Sequence, residues 1–367
     1  MMSRTTGIFA ALSIVILAGC GGGAHSVPPD GRAAGTLPSS AQRTTSSLKD
    51  GTLYYATTST VYALPLNAKG NAAATRSITP HPEQQGITTA VATNADGTLD
   101  VQQNYFDDTG EHCRNDVEPA DADGSPASTT VACDDTTPRT QGDGVARNGL
   151  GGFDMLYNTP NSFIVKRFAT DGASLTNTLT LGPPGFAGLY LDTDRSGGDY
   201  LVNSGGEVRE YGRHATSVDN TLEDCTVSAF YGDGPLAVST DKSIYLVVRT
   251  EGDLANSTIQ EITSCPASGP AVVSRTIGPF PTTYISALTV DNAGRLYVGL
   301  NAIDGASPST IAVFDKTANG APAPTRVISP NPSTNFIRGL TTYEPPATPP
   351  PSPTPVPSST PAPSPTP

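Results

Sequence analysis

Apolar and polar positions along the middle of the chain alternate with a period of two, in short runs broken by turn residues. The clearest stretch places strands at Ser286 to Val290, Arg295 to Leu300, Thr310 to Phe314 and Thr325 to Ser329. Asp291-Asn292-Ala293-Gly294 and Asn319-Gly320 punctuate it and supply the positive φ that tight hairpins need. The runs are rich in Leu, Ile, Val, Tyr and Thr, which suit pleated layers packed face to face. No window shows a helical period, so the pattern predicts an all-β body.

The pattern repeats. Ser59 to Pro80 aligns without gaps on Ser309 to Pro330, with nine of the 22 positions identical, including Thr75-Arg76 and Thr325-Arg326. Related strand starts follow Asp50-Gly51, Gly97, Gly152, Gly198, Lys242 and Gly294, about 45 to 54 residues apart. That spacing is the one expected of four-stranded propeller blades. The first unit lacks a leading strand, and the missing piece occurs at the far end. There Arg338-Gly339-Leu340-Thr341-Thr342-Tyr343 matches Gln85-Gly86-Ile87-Thr88-Thr89-Ala90, which opens the second unit. The C-terminal strand is therefore expected to complete the first blade and close a six-bladed ring over residues 50–344. Seven blades would follow if the irregular part of the second unit held another.

Leu288-Thr289-Val290-Asp291-Asn292-Ala293-Gly294-Arg295-Leu296-Tyr297-Val298, with the later Ile311-Ala312-Val313-Phe314 and Thr325-Arg326-Val327-Ile328-Ser329-Pro330, resembles NHL-type propellers. It is similar also to the gluconolactonase and streptogramin-lyase-like group. The resemblance implies a fold, not a function, because propellers host enzymes and binding platforms alike. The lyase-like members use a His general base beside a Glu, and His81 with Glu83 is the candidate here, in a loop placed to face the central opening. Gluconolactonase-like enzymes bind a divalent metal through Glu, Asn and Asp, for which no positions align. No catalytic set converges, and no Gly-X-Ser-X-Gly, Walker or zincin motif occurs.

The ends of the chain differ in kind. Arg4 followed by an apolar run from Ile8 to Ala18 and then Leu17-Ala18-Gly19-Cys20 resembles the signal peptide and lipobox of bacterial lipoproteins. That resemblance implies a signal peptide over residues 1–19, acylation with palmitate-type chains at Cys20, and an extracytoplasmic membrane anchor. Gly21 lacks the Asp associated with inner-membrane retention, which favours an outer-membrane or cell-surface address. Residues 20–49 read as a flexible, disordered tether rich in Gly, Ser, Thr, Pro and Ala. Residues 345–367 hold 12 of the 34 prolines, a disordered tail of polyproline II character.

Charge and cysteines narrow the partners. A net charge of −13 argues against nucleic acid, since no basic field is available for phosphate. Residues 107–143 carry ten acidic residues against two basic ones, and they read as a solvated acidic insertion at the edge of the second blade. Besides Cys20, the cysteines are Cys113, Cys133, Cys225 and Cys265, an even number in an exported chain. A hairpin centred on Asp123 sets Cys113 directly opposite Cys133, leaving Cys225 and Cys265 to link blades four and five; free thiols are the alternative. Asp192, Asp194 and Ser196 mimic the start of a calcium loop, but Asn203 stands where its bidentate Glu belongs, so calcium is the only cofactor weighed. The functional expectation is a monomeric, membrane-anchored platform for a protein or glycan. A metal-dependent lactonase-like hydrolase or lyase and a structural envelope component are the alternatives.

Overall fold

The computed structural model describes residues 51–345, apart from 83, 85, 134–140, 160–161, 182–187, 195–196, 204–205, 218–220, 228–233, 251–252 and 266–268. The signal peptide, Cys20, the tether, the rest of the tail from 346, Glu83 and Ser196 lie outside the described residues. The described residues form six antiparallel sheets, each built on four strands. Blade one comprises β1 (Thr52–Ala56), β2 (Val61–Pro65) and β4 (Arg76–Ile78), completed on its inner side by β26 (Gly339–Tyr343). Blade two is β5 (Ile87–Thr93), β6 (Leu99–Asp107), β7 (Gly110–Glu118) and β8 (Thr129–Ala132). Blade three runs through β9 (Gln141–Arg147), β10 (Phe153–Thr159), β11 (Ser162–Phe168) and β12 (Ser174–Thr180).

Blade four contains β13 (Gly188–Thr193), β14 (Asp199–Asn203), β15 (Glu207–Tyr211) and β16 (Thr221–Thr226). Blade five contains β17 (Leu236–Val238), β18 (Ile244–Thr250), β19 (Asp253–Ser264) and β21 (Val272–Phe280). Blade six is β22 (Thr283–Val290), β23 (Leu296–Ala302), β24 (Thr310–Phe314) and β25 (Arg326–Asn331). Two short segments, β3 (Gly70–Ala73) and β20 (Gly269–Pro270), pair in parallel with the outer strand of a neighbouring blade. Inner strands touch in the cyclic order β26, β5, β9, β13, β17, β22 and back to β26, so the ring is closed. The register of β26 on β1 runs from Gly339 opposite Ala56 to Tyr343 opposite Thr52. No seventh sheet forms among the described residues, and the irregular part of the second unit is the long β6–β7 hairpin with β8.

Alternation along a strand explains how the ring holds together. In β1, Leu53 and Tyr55 enter the apolar cluster shared with blade six, while Tyr54 and Ala56 enter the one shared with blade two. Both faces of an inner or second strand are thus core, and all five residues of β1 are buried. An apolar cluster of this kind fills each seam between blades. Burial of these side chains, at about 25 cal/mol per Å² of apolar surface, is the main force that keeps blades stacked.

Polar latches reinforce the outer seams. Arg76 donates to the Ala120 and Ala122 carbonyls of blade two and to the Tyr54 hydroxyl. Its repeat equivalent Arg326 donates to the Leu66 and Ala68 carbonyls of blade one and to the Tyr297 hydroxyl. Arg275 does the same toward the Ala318 carbonyl and Tyr245. Gly70, Gly124 and Gly320 mark the point where each receiving turn meets the outer strand of the preceding blade, and all have positive φ near 60–75°. Only glycine takes that conformation without strain.

Both expected disulfides form, Cys113–Cys133 in the hairpin register and Cys225–Cys265 as the remaining pair. Cys113 and Cys133 have Cα atoms 5.5 Å apart, and β7 pairs with β8 in the register centred on Asp123. Cys225 at β16 and Cys265 just after β19, with Cα atoms 5.0 Å apart, link blades four and five.

Candidate functional site: the axial channel

Inner strands β5, β9, β13, β17 and β22 end in a hairpin at a common level, where Thr93, Arg147, Thr193, Val238 and Val290 pair with the first residue of the next strand, and Tyr343 at the end of β26 pairs likewise with Thr52. Inner strands therefore run in one direction around the axis. The residues that begin them line one mouth of the channel, and those that end them line the other. The open-ended cavity along the axis measures about 170 Å³. Its wall is largely small or hydroxylated, with Thr89, Ser286, Thr289, Thr341 and Thr342 among its members.

Three carboxylates interrupt that wall, those of Asp143, Asp192 and Asp194. Asp143 on β9 is half-buried near the first mouth, and burial, with the charge of Glu111 nearby, raises its pKa to about 7 despite a hydrogen bond from Asn158 Nδ2 at 3.0 Å. Asp192 on β13 lies toward the second mouth, and burial raises its pKa to about 7. Two backbone groups hold it: the Val238 N–H of the next blade donates to Oδ2 at 2.7 Å, and the Thr193 N–H to Oδ1 at 2.8 Å. Its role in the wall is thus to tie blade four to blade five.

The first mouth also carries an arginine and aromatic stack. Arg338, which begins the closing strand, lines the cavity with its guanidinium 5.1 Å from the centre of the Phe336 ring. Phe336 is 41% exposed and stacks on Tyr284 with ring centres 6.3 Å apart. Arg249 lies over the Tyr284 ring, 4.2 Å from its centre, and donates to the Ile285 carbonyl at 2.7 Å. Burial lowers the Arg338 pKa from its ordinary value.

The sequence candidates lie elsewhere or apart. His81 does not face the channel. It sits at the outer edge of blade two, where Nε2 is 3.1 Å from the Asp116 carboxylate of β7 and 2.6 Å from the Thr130 hydroxyl. The loop carrying it joins an outer strand to the next blade, and its backbone turns through a positive φ of 42° at His81, which aims the ring back at β7. His112 pairs with Asp107 and stacks on Tyr105, and His214 is exposed beside Arg213. Asp194 is a hairpin cap: its carboxylate accepts from the Gly198 N–H, the Tyr200 hydroxyl and Lys242. Asp192 and Asp194 therefore serve different partners. Among the described residues no three His, Cys, Asp or Glu side chains come together in a cation site.

The acidic segment is solvated only in part: Asp121 and Asp123 are exposed, Glu111 is half-buried, and Asp134 and Asp135 lie outside the described residues. Asp116 and Glu118 are fully buried in blade two, and Asp143 belongs to the channel, whereas Asp107 and Asp108 are exposed. Arg338, Phe336, Tyr284 and Arg249 carried no motif. The one available signal was a basic residue at 338 in the strand start that otherwise matches Gln85.

Fold and channel together define a six-bladed β-propeller with a small axial cavity. Neither a protein-family model nor a curated protein matches the sequence. Among solved structures, a protein of unknown function from Bacteroides caccae is similar with a TM-score of 0.54 and 10% identity, covering 80% of this chain and 98% of that one. Virginiamycin B lyase from Staphylococcus aureus is similar with a TM-score of 0.40 and 14% identity, over 64% of this chain and 72% of that one. Such likenesses show the propeller fold alone.

Proposed function

We propose that this protein is an exported bacterial lipoprotein, anchored through Cys20, whose propeller works by binding rather than by catalysis. The observation that carries the reading is the separation of the channel's acids. Asp143 lies toward one mouth, while Asp192 and Asp194 toward the other are each held by donors of their own, leaving no pair of carboxylates or histidines poised on one reacting atom among the described residues. Two disulfides support an oxidising compartment, where such bonds persist. Small threonine and serine side chains along the wall suit recognition of a polar ligand.

The test has two arms. Cys20→Ala is expected to move the protein from the membrane fraction to the soluble fraction of the envelope; retention on the membrane overturns the anchor. Incubated with unfractionated envelope material, the protein is expected to retain a component that is recovered chemically unchanged; its conversion to a product overturns the binding reading.

A lactonase-like hydrolase or lyase is the second reading, favoured by two carboxylates whose pKa values near 7 suit proton transfer. Under that reading Asp143→Asn abolishes conversion of envelope material.

A further inference from the structure

Propeller seams in this molecule neutralise their arginines with care. Arg76, Arg275 and Arg326 each reach backbone carbonyls and a tyrosine, and Arg167 lies between the carboxylates of Asp154 and Asp199. The first mouth of the channel breaks the habit. The Arg338 guanidinium makes no hydrogen bond or ion pair among the described residues, and its Nε is buried without an acceptor. Arg249, 4% exposed, reaches the Ile285 carbonyl, whereas the buried hydroxyl of Ser286 in β22 lacks a partner among the described residues. A chain with a net charge of −13 thus keeps one guanidinium, that of Arg338, with no acceptor among the described residues at this end of its axis. Buried cations are ordinarily paired, because desolvation costs several kcal/mol when they are not.

The stack Arg249, Tyr284, Phe336, Arg338 shapes what would supply the missing charge. Phe336, 41% exposed beside Arg338, leaves apolar ring surface at the mouth against which the C–H groups of a sugar ring can pack. A single exposed-side guanidinium matches one carboxylate rather than a dense polyanion. The unpartnered hydroxyl of Ser286 and the Asp143 carboxylate lie around the cavity as partners for ring hydroxyls. We infer that the first mouth binds the terminal residue of an acidic saccharide, with Arg338 on the uronate carboxylate and Phe336 under the ring.

This site rests on the binding reading above and names its ligand class. The test is calorimetric titration of the full-length protein in detergent with digalacturonate, the neutral galactose disaccharide and benzoate. Digalacturonate is expected to bind at least about tenfold more tightly than either of the others. Arg338→Gln is expected to weaken it by about tenfold or more, Phe336→Ala by several-fold, and Phe336→Tyr little, with all three variants melting as the parent does. Absence of digalacturonate binding, equal binding by Arg338→Gln, or benzoate binding as tight as digalacturonate overturns the proposal. Protein that ignores digalacturonate yet still retains envelope material, unchanged, loses this ligand and keeps the binding reading.

Discussion

At the position where the third strand of a blade meets the start of the second, most blades place an apolar ring or branched chain. Phe168 opposite Phe153, Ile262 opposite Ile244 and Phe314 opposite Leu296 are examples. Blade two places Glu118 there, opposite Leu99, fully buried and with neither carboxylate oxygen hydrogen-bonded. Burial, with the charge of Asp116 adding to it, raises the Glu118 pKa to about 8 from an ordinary 4.5. The folded protein therefore holds this proton where the unfolded chain releases it, and stability is full below about pH 4.5 and lost as pH rises toward 8. Asp100, raised to about 8 by burial, and the channel carboxylates of Asp143 and Asp192 act in the same direction. Thermal melts are expected to fall between pH 5 and pH 8. Glu118→Gln should melt about as the parent does at pH 5 and at least about 2 °C higher at pH 8, which calorimetry across that range checks. An equal difference at both pH values would exclude the carboxyl proton as the cause.

Between blades the chain uses two devices for one task, and they occupy different seams. Arginine latches serve the seams from one to two, five to six and six to one, while the seam from four to five carries the Cys225–Cys265 disulfide beside the parallel pairing of β16 with β20. Cys113–Cys133 acts within blade two, across neighbouring strands. Closing a loop of 40 residues is worth about 4 kcal/mol in the chain-entropy account, against about 3 for one of 20. Cys225→Ser with Cys265→Ser is therefore expected to lower stability by up to about 4 kcal/mol, and to loosen amide protection in β16 and β19 more than in β1 and β23. Hydrogen exchange resolves the two regions, and uniform loss of protection would show that the bridge does not act on its own seam. Much of this level was legible beforehand. Repeated Thr-Arg-X-Ile units, hairpin glycines and cysteine spacing are local signals, and they placed the blades, the closing strand and the β7–β8 register. His81 was misplaced because nothing local says which edge of a blade a connecting loop follows. Asp116, Glu118 and Asp143 looked solvated for a related reason: charge is visible in a sequence, whereas the neighbouring blade that buries it is far away along the chain. The stack at Arg338 joins β18, β22 and the segment before β26, a convergence that only ring closure creates.

Closure is also where the whole molecule differs from the sum of its blades. A blade's core lies in the seams on either side of it, so β1 with β2 and β4 alone would leave Leu53, Tyr55 and Leu64 facing water. The strand β26 supplies Leu340 to the same cluster that contains Ile311, Val313 and Ile328 of blade six, and its outer edge pairs with β1. Thr341 and the Thr342 carbonyl also meet the Thr93 hydroxyl of blade two, so the last strand contacts blades on both sides. Without it the inner edge of β1 would be an unpaired strand of buried, apolar character, the kind that pairs with other chains. Ending the chain after Asn335 is therefore expected to cost far more than one strand's hydrogen bonds: the single cooperative melt should broaden or split, and the protein should self-associate. Ending it after Glu344, which retains the closing strand and the Glu344 contact to the Asn292 N–H, should leave the melt unchanged. Calorimetry with light scattering compares the two truncations. A sharp, monomeric transition in the shorter chain would mean that the seams, and not the closing strand, hold the ring.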